Sequence, residues 1–349
     1  MSATDDALPG VSFVIPVLNE VGYIEAAIAT VLSQNYLGET ELILALGPST
    51  DGTTQLVQRL AAADSRIICV KNPKTDIPVG LNVAIRASKF PIIVRVDAHS
   101  ELEPNYTRSA VATLFRTGAA NVGGVMKARG ATPFQSAVAR AYNSKFGLGG
   151  GSYHGGAIEG PAESAYLGVF RREVLDEVSL FDESIRRGED WELNLRIRSA
   201  GHTVWFDPSL EVTYWPRESW NKLVRQFCAT GIWRGELVRR YTARTPWRFF
   251  APPLLVVSVA ASAVAAVLLG ASVVTGWSAL VLSLSYMAPA SYLILLTSLS
   301  FSRAGGPAFA DRWRFFLVLP TMHFSWGVGF ILGVSRGARG AVDTSRTGG

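Results

Sequence analysis

The sequence predicts an α/β domain built on a mainly parallel sheet and followed by C-terminal transmembrane helices. Three observations carry this. Short apolar runs alternate with helix-period segments over residues 11–215. No Asp, Glu, Lys, Arg or His occurs from Phe249 to Ser302. Between these regions, residues 216–248 hold eight basic residues against two acidic ones, interleaved with Trp220, Phe227, Trp233, Tyr241 and Trp247.

The first apolar run, VSFVIPVLN at 11–19, reads as a strand that breaks at Pro16 and Asn19. Residues 20–34 follow with Ile24, Ala27, Ile28, Val31 and Leu32 on one helical face. ELILALG at 41–47 is a second strand. Ser49–Thr53 is a cluster of helix-capping residue types, and the segment runs on as a helix to residue 63. RIICV at 66–70, PVGLNVAIRAS at 78–88 and PIIVRV at 91–96 continue as strand, helix and strand. Crossover helices of this length join parallel strands, and such sheets bind ligands beyond the carboxyl ends of their strands. The Gly-rich stretch 147–156, containing His154, reads as a flexible loop. Residues 181–201 read as a loop entering an amphipathic helix that ends at Gly201, and 202–215 as one or two strands.

Residues 253–275 and 277–299 are each long enough to cross about 30 Å of hydrocarbon, and the short connection at Gly276 makes them a hairpin. Arg239, Arg240, Arg244 and Arg248 precede it and Arg303, Arg312 and Arg314 follow, so both ends read as cytoplasmic. Residues 315–334 are a third candidate. They contain His323 and are followed by Arg336 and Arg339, which a full crossing would place outside; a re-entrant or interfacial course is the other reading. The divisions are then a tail at 1–10, a catalytic domain at 11–215, basic amphipathic interface helices at 216–250, a transmembrane region at 251–335 and a disordered tail at 336–349. The polar, acidic start does not resemble a signal peptide, which places the front of the chain in the cytosol. Cys69 and Cys228 lack metal-site spacing and suit a reducing compartment. The formal charge is +5. Its concentration beside apolar segments fits a membrane surface and not nucleic acid.

The chemistry sits at strand ends. Asp97 and His99 close the fourth strand. On a strand, residues i and i+2 point the same way, and a carboxylate beside an imidazole can share a divalent cation, Mn²⁺ or Mg²⁺. Pro16, Asn19 and Glu20 end the first strand and Ser49–Thr53 the second. Each alone reads equally as a cap or turn; three on one edge make a nucleotide-sized site. Glu189 and Asp190 open a helix, where acids suit the dipole or supply a general base. A cation beside a diphosphate leaving group, with a base to activate a hydroxyl, describes sugar transfer from a nucleoside diphosphate.

These motifs carry a resemblance. Residues 11–240 resemble the family 2 inverting glycosyltransferases of the GT-A fold, which is Rossmann-like. The matches are FVIPVLNE, STDGT, RVDAH at the place of the DxD motif, GED at the place of the catalytic acids, and QFCATGIWR where membrane members carry QxxRW. ESAYLGVFRREVL, FDESIRRGEDWELNLRIRSAG and HFSWGVGF look most like the succinoglycan-type glucosyltransferase branch. The resemblance implies Asp190 as general base with Glu189 beside it, and Asp97 and His99 as metal ligands. It implies Pro16, Asn19, Glu20, Asp51, Asn82, Arg95 and Asp97 about the nucleotide sugar, and Glu163, Trp191, Gln226, Trp233 and Arg234 about the acceptor and diphosphate. Two departures stand out. Leu46 occupies the place of an Asp that commonly contacts the base, and Arg234 follows Trp233 where the motif has it precede. The implied protein is a plasma-membrane, multi-pass glycosyltransferase with a cytoplasmic catalytic domain and a divalent cation. Its implied partners are a nucleotide-sugar donor, a lipid-linked or exopolysaccharide glycan acceptor, the bilayer and other glycan-assembly membrane proteins. A polyprenyl-phosphate sugar synthase and a non-catalytic accessory membrane protein of the same fold are the alternatives.

Overall fold

A computed structural model of the chain describes residues 8–147, 158–242 and 245–341. The expected N-terminal tail up to residue 7, His154 with most of its Gly-rich loop, Arg244 and the tail from 342 lie outside the described residues. The chain forms two units. One holds residues 8–129 and 158–215; the other holds 130–147, 216–242 and 245–341. The second thus takes in a segment that the sequence division left in the first.

In the first unit, β1 (Val11–Val17) is buried along its whole length. After α1 (Ile24–Leu32) the chain enters β2 (Thr40–Leu46), α2 (Thr53–Ala63), β3 (Ile67–Lys71), α3 (Ile77–Ala87) and β4 (Ile92–Arg95). β1 pairs in parallel with β2 on one side and β4 on the other, and β3 lies parallel outside β2. Strands covered on both faces read as unbroken apolar runs. Successive β1 residues serve opposite cores: Phe13 and Ile15 pack with Ile24, Ile28 and Leu44, while Val14 packs with Leu81, Ile85 and Ile93. The strand does not break at Pro16, which stays in register opposite Ala45.

Beyond β4 the sheet becomes mixed. β5 (Ser100–Leu102), α4 (Tyr106–Thr117), β6 (Asn121–Ala128), β7 (Gly160–Pro161), β8 (Tyr166–Arg171), α6 (Arg172–Glu177), α7 (Glu189–Ser199) and β9 (Val204–Tyr214) complete the unit, with α5 (Pro133–Tyr142) leaving it for the second. The sheet order is β3-β2-β1-β4-β8-β6-β9-β5, with β7 on β9. β8 is antiparallel to β4 and β6, while β6 and β9 are parallel. β9 passes through Pro208 as one strand, and its register with β6 shifts between Gly123 and Val125.

The second unit is helical: α5, α8 (Trp220–Arg240), α9 (Ala251–Gly270), α10 (Gly276–Ser283), α11 (Met287–Phe301) and α12 (Phe309–Arg336). A single 3-10 turn, Leu284–Tyr286, joins α10 to α11. The stretches 247–270, 276–301 and 309–336 are each long and apolar enough to cross a membrane. The expected interface helices at 216–250 are one 21-residue helix and a short 3-10 turn, Trp247–Phe250. From Ala229 to Val238 every α8 residue is buried or half-buried, so this half is no exposed amphipathic surface.

Gly124 sits where β6 shifts register, and a Cβ there would lie 1.8 Å from the Leu210 carbonyl oxygen. The obstacle is backbone, which cannot swing aside. Gly124→Val is expected to destabilise the protein by at least the ~1–3 kcal/mol typical of overpacking. An unchanged denaturant midpoint would contradict the close approach.

Candidate active site

The loops after β1 and β2 fasten to each other. Asn19, at a left-handed φ of 53°, accepts from Thr50 N (2.8 Å) through Oδ1 and donates its own N–H to Ser49 Oγ (3.0 Å). Glu20 N donates to Thr53 Oγ1 (2.9 Å) and Val21 N to Asp51 Oδ2 (3.1 Å). Asp51 Oδ1 also accepts from Thr53 N at 3.0 Å. Burial would raise the Asp51 carboxyl, but the donors from Thr53 and Val21 more than offset it and hold the group below its ordinary 3.8. Asp51, expected at the nucleotide, is thus engaged in joining two loops. Leu46 packs against the core.

β4 ends at Arg95, two residues short of Asp97. Asp97 and His99 stand in a turn closed by Ser100 N on Asp97 O (3.0 Å), so the strand geometry expected to align them does not apply. The turn forms because Ser100 must re-enter the sheet as β5, opposite Tyr214 of β9. His99 is buried, its ring edge-on to Tyr214 at 5.4 Å. Its Nδ1 makes no hydrogen bond and lies 3.4 Å from Glu20 Oε1.

Arg95 gathers the acids. It is 4% exposed and reaches Glu189 (3.0 Å), Asp97 (3.3 Å) and Asp190. Its guanidinium also lies over the Phe181 ring at 5.9 Å. Burial opposes its charge, but Asp97 and Glu189 outweigh that and keep its pKa above the ordinary value. Arg95 therefore faces carboxylates, where the resemblance had placed it at the nucleotide. Of the three acid side chains, Asp190 is the most open, at 27% against 15% for Asp97 and 9% for Glu189.

The acid pair is fixed by α7. Gly188 enters the helix at a left-handed φ of 78°, and Glu189 and Asp190 occupy its first turn, where the backbone N–H groups favour negative charge. Asn194 Nδ2 donates to Ser164 Oγ (3.0 Å) and Asn194 Oδ1 accepts from Asn121 (2.6 Å), tying α7 to β6 and the approach to β8. Arg196 holds Glu192 (2.7 Å) and the Leu180 carbonyl (2.8 Å).

Other expected site residues lie elsewhere. Asn82 is buried, its amide spent on Phe181 O (2.9 Å) and Phe181 N (3.0 Å), so it braces a loop. Trp191 is in the core and presents no open ring face. Pro16 lies beneath α3, close to Gly80. Glu163 is exposed, next to buried Ser164. Gln226, Trp233 and Arg234 belong to the second unit. There Gln226 is buried, Trp233 is buried with Nε1 donating to Ala341 O (3.1 Å), and Arg234 stacks over Phe249 at 4.3 Å. The Trp233 ring is thus a packing element and no open platform for a sugar. Sequence reasoning missed Tyr214 and Ser100 as neighbours of the site. Tyr166 OH lies 3.3 Å from Ser100, and burial, with the Asp97 charge, pushes its phenol well above the ordinary value. Strand pairing between residues 100 and 214 creates this group, and no local pattern announces it.

Among the described residues, no three His, Cys, Asp or Glu side chains gather about one point. Asp97 and His99 supply one hard oxygen donor and one ring nitrogen without a hydrogen bond. Such a set fits a cation that takes its remaining ligands from phosphate and water.

A family model, glycosyl transferase family 2, matches residues 12–179. The succinoglycan biosynthesis protein ExoA of Rhizobium meliloti is 32% identical over 73% of this chain and 77% of its own length. A Methanococcus voltae enzyme, dolichyl N-acetyl-alpha-D-glucosaminyl phosphate 3-beta-D-2,3-diacetamido-2,3-dideoxy-beta-D-glucuronosyltransferase, is 24% identical over 68% of this chain and 77% of its own. A mannosyltransferase from Pyrobaculum calidifontis, solved with GDP-Man and Mn²⁺, superposes with a TM-score of 0.61 at 17% identity, over 94% of this chain and 89% of that one.

Removing Arg95 leaves three acids without their shared cation. Arg95→Met is expected to lower stability by about 3–5 kcal/mol, the usual result of breaking a buried ion pair from one side. A loss under ~1 kcal/mol in denaturant unfolding would mean that the carboxylates are neutralised otherwise. Asp51 has a depressed folded-state pKa, so its contribution is present above pH 3.8 and is lost as pH falls through the folded value. Asp51→Asn should therefore lower the unfolding midpoint at neutral pH, by a gap that narrows in acid. A gap independent of pH would contradict the assignment.

Proposed function

The chain belongs to glycosyl transferase family 2, and on that premise we propose that it is a membrane-anchored, inverting enzyme. It moves a sugar from a nucleotide-sugar donor to a lipid-linked or exopolysaccharide glycan acceptor. The observation that carries this is the arrangement at α7: Asp190 is the more open of two adjacent acids, and Arg95 ties it to Asp97. A base must be reachable by the acceptor and fixed with respect to the donor. One buried guanidinium meets both demands.

In the reaction the Asp190 carboxylate takes the proton of an acceptor hydroxyl. That oxygen bonds to the anomeric carbon as the bond to the diphosphate oxygen breaks, with inversion. Arg95 holds Asp190 in place, and Glu189, more deeply buried, balances the Arg95 charge. Asp97 and His99 would hold the divalent cation, which offsets charge on the departing diphosphate. Asn19 and Glu20, in the paired loops, border the nucleotide. The GDP-Man and Mn²⁺ of the Pyrobaculum protein support the donor class and the cation, and ExoA's part in succinoglycan biosynthesis supports a polysaccharide product.

Apolar stretches 247–270 and 276–301 anchor the enzyme in the plasma membrane with the catalytic unit cytoplasmic, where an amphiphilic acceptor and other glycan-assembly proteins concentrate. The charge-free run from Phe249 to Ser302 between flanking arginines supports this topology.

The test is transfer and hydrolysis from a panel of nucleotide sugars by detergent-purified protein with Mn²⁺ or Mg²⁺. One donor should turn over, and Asp190→Asn should lose about 10²–10⁴-fold in rate, the usual share of a general base. If the variant retains most of its activity, the nucleophile needs no base, which would point to a lipid phosphate and overturn the hydroxyl acceptor.

A further inference from the structure

On the reading that 247–270 and 276–301 form a membrane-crossing hairpin, we infer that α12 does not cross. It lies along the bilayer surface, in the headgroup layer on the side from which α9 departs. By length and composition α12 could span: 28 residues reach about 42 Å. Its packing within the second unit excludes this.

The last third of α12 runs parallel to the second half of α8, backbone against backbone. A Cβ on Gly329 would come 2.2 Å from Cys228 O, and one on Gly333 2.0 Å from Ile232 O. From the other side, a Cβ on Gly231 would lie 2.1 Å from Trp326 O and one on Gly235 2.4 Å from Phe330 O. Two glycines per helix, four residues apart, let the helices interlock, so they share one depth. α8 carries Arg234, Glu236, Arg239 and Arg240 in this half. Charged side chains at the bilayer centre are costly, because hydrocarbon offers them neither water nor counter-charge. α8 does not lie at that depth, and α12, interlocked with α8, stays beside it.

The rest of α12 is tied to polar segments too. Near its start, Asp311 pairs with Arg140 of α5 at 3.7 Å. In its middle, His323 Nε2 donates to Phe146 O at 2.7 Å, in the turn beyond α5. A carbonyl only accepts, so Nε2 carries the hydrogen and Nδ1 accepts from Tyr292 OH at 2.9 Å. Past its end, Ala341 O is held by Trp233. The outward side exposes Trp313, Leu317, Val328, Ile331 and Val334, one apolar stripe suited to shallow insertion. Arg239, Arg240, Arg336 and Arg339 are exposed near its C-terminal end, where acidic headgroups complement them. The hairpin meets α12 near its own polar ends, where Phe250, just before α9, faces Phe330 and Phe301, the last residue of α11, faces Phe309 and Trp313, and again further in, where Tyr292 of α11 meets His323 and Phe324.

The experiment uses the full chain with two reporters: a phosphatase active only outside the cytoplasm and a fluorescent protein that matures only inside it. Each is placed in turn within residues 271–275 and after Gly349. The expected result is phosphatase activity at the first position and fluorescence at the second. Phosphatase activity at both positions would show that α12 crosses, overturning this inference while leaving the hairpin intact. Fluorescence at both would remove the hairpin itself, and the inference would fall with the topology it rests on.

Discussion

One buried guanidinium organises the catalytic unit. Arg95 stands at the last position of β4, between two core-facing sides of the sheet, where an unpaired charge would be prohibitive. It is tolerated because Asp97 comes from the turn beyond the same strand, and Glu189 and Asp190 from the first turn of a helix over ninety residues later. The acids in turn need the cation, since four carboxylates, counting Glu20, lie in this region. Each group makes the burial of the others affordable. The donor side and the acceptor side of the proposed reaction thus share a fixed point, and neither can shift without disturbing the other.

Local pattern revealed much of this. The three parallel crossovers, the capping cluster at Ser49–Thr53 and the acid pair after Gly188 were legible because apolar period and turn chemistry act over a few residues. The misreadings share one cause. Asp97 and His99 looked like a continuation of β4, but a non-local pairing of Ser100 with Tyr214 bends the chain between them. Asn82 and Trp191 looked available because polar and aromatic residues near motifs often are. Whether an amide is already spent on Phe181, or an indole lies in the core, depends on contacts about a hundred residues away or on packing around α7. The elements β5, α4, β6 and α5 lie in a region, Ser100 to Phe146, left unassigned from sequence.

The helical unit shows the same limit. Apolar length marked all three stretches and left the third between a crossing and an interfacial course, since hydropathy counts only what a residue is and not what it touches. The glycines at 231, 235, 329 and 333 change the meaning of the third stretch by binding it to a charged neighbour. Small residues four apart on both α8 and α12 were present in the sequence. They become informative only once the two helices are known to face each other, because glycine spacing marks close approach without naming the partner.

The stitching of Asn19, Ser49, Thr50, Asp51 and Thr53 bears on how such enzymes diversify. Two loops from different strands form a single hydrogen-bonded sheet edge, with Asn19 in a backbone conformation that few residues accept. Grafting either loop alone from another transferase would strand donors and acceptors of the one left behind. The pair is therefore the smallest unit that can be exchanged without leaving such groups unpaired.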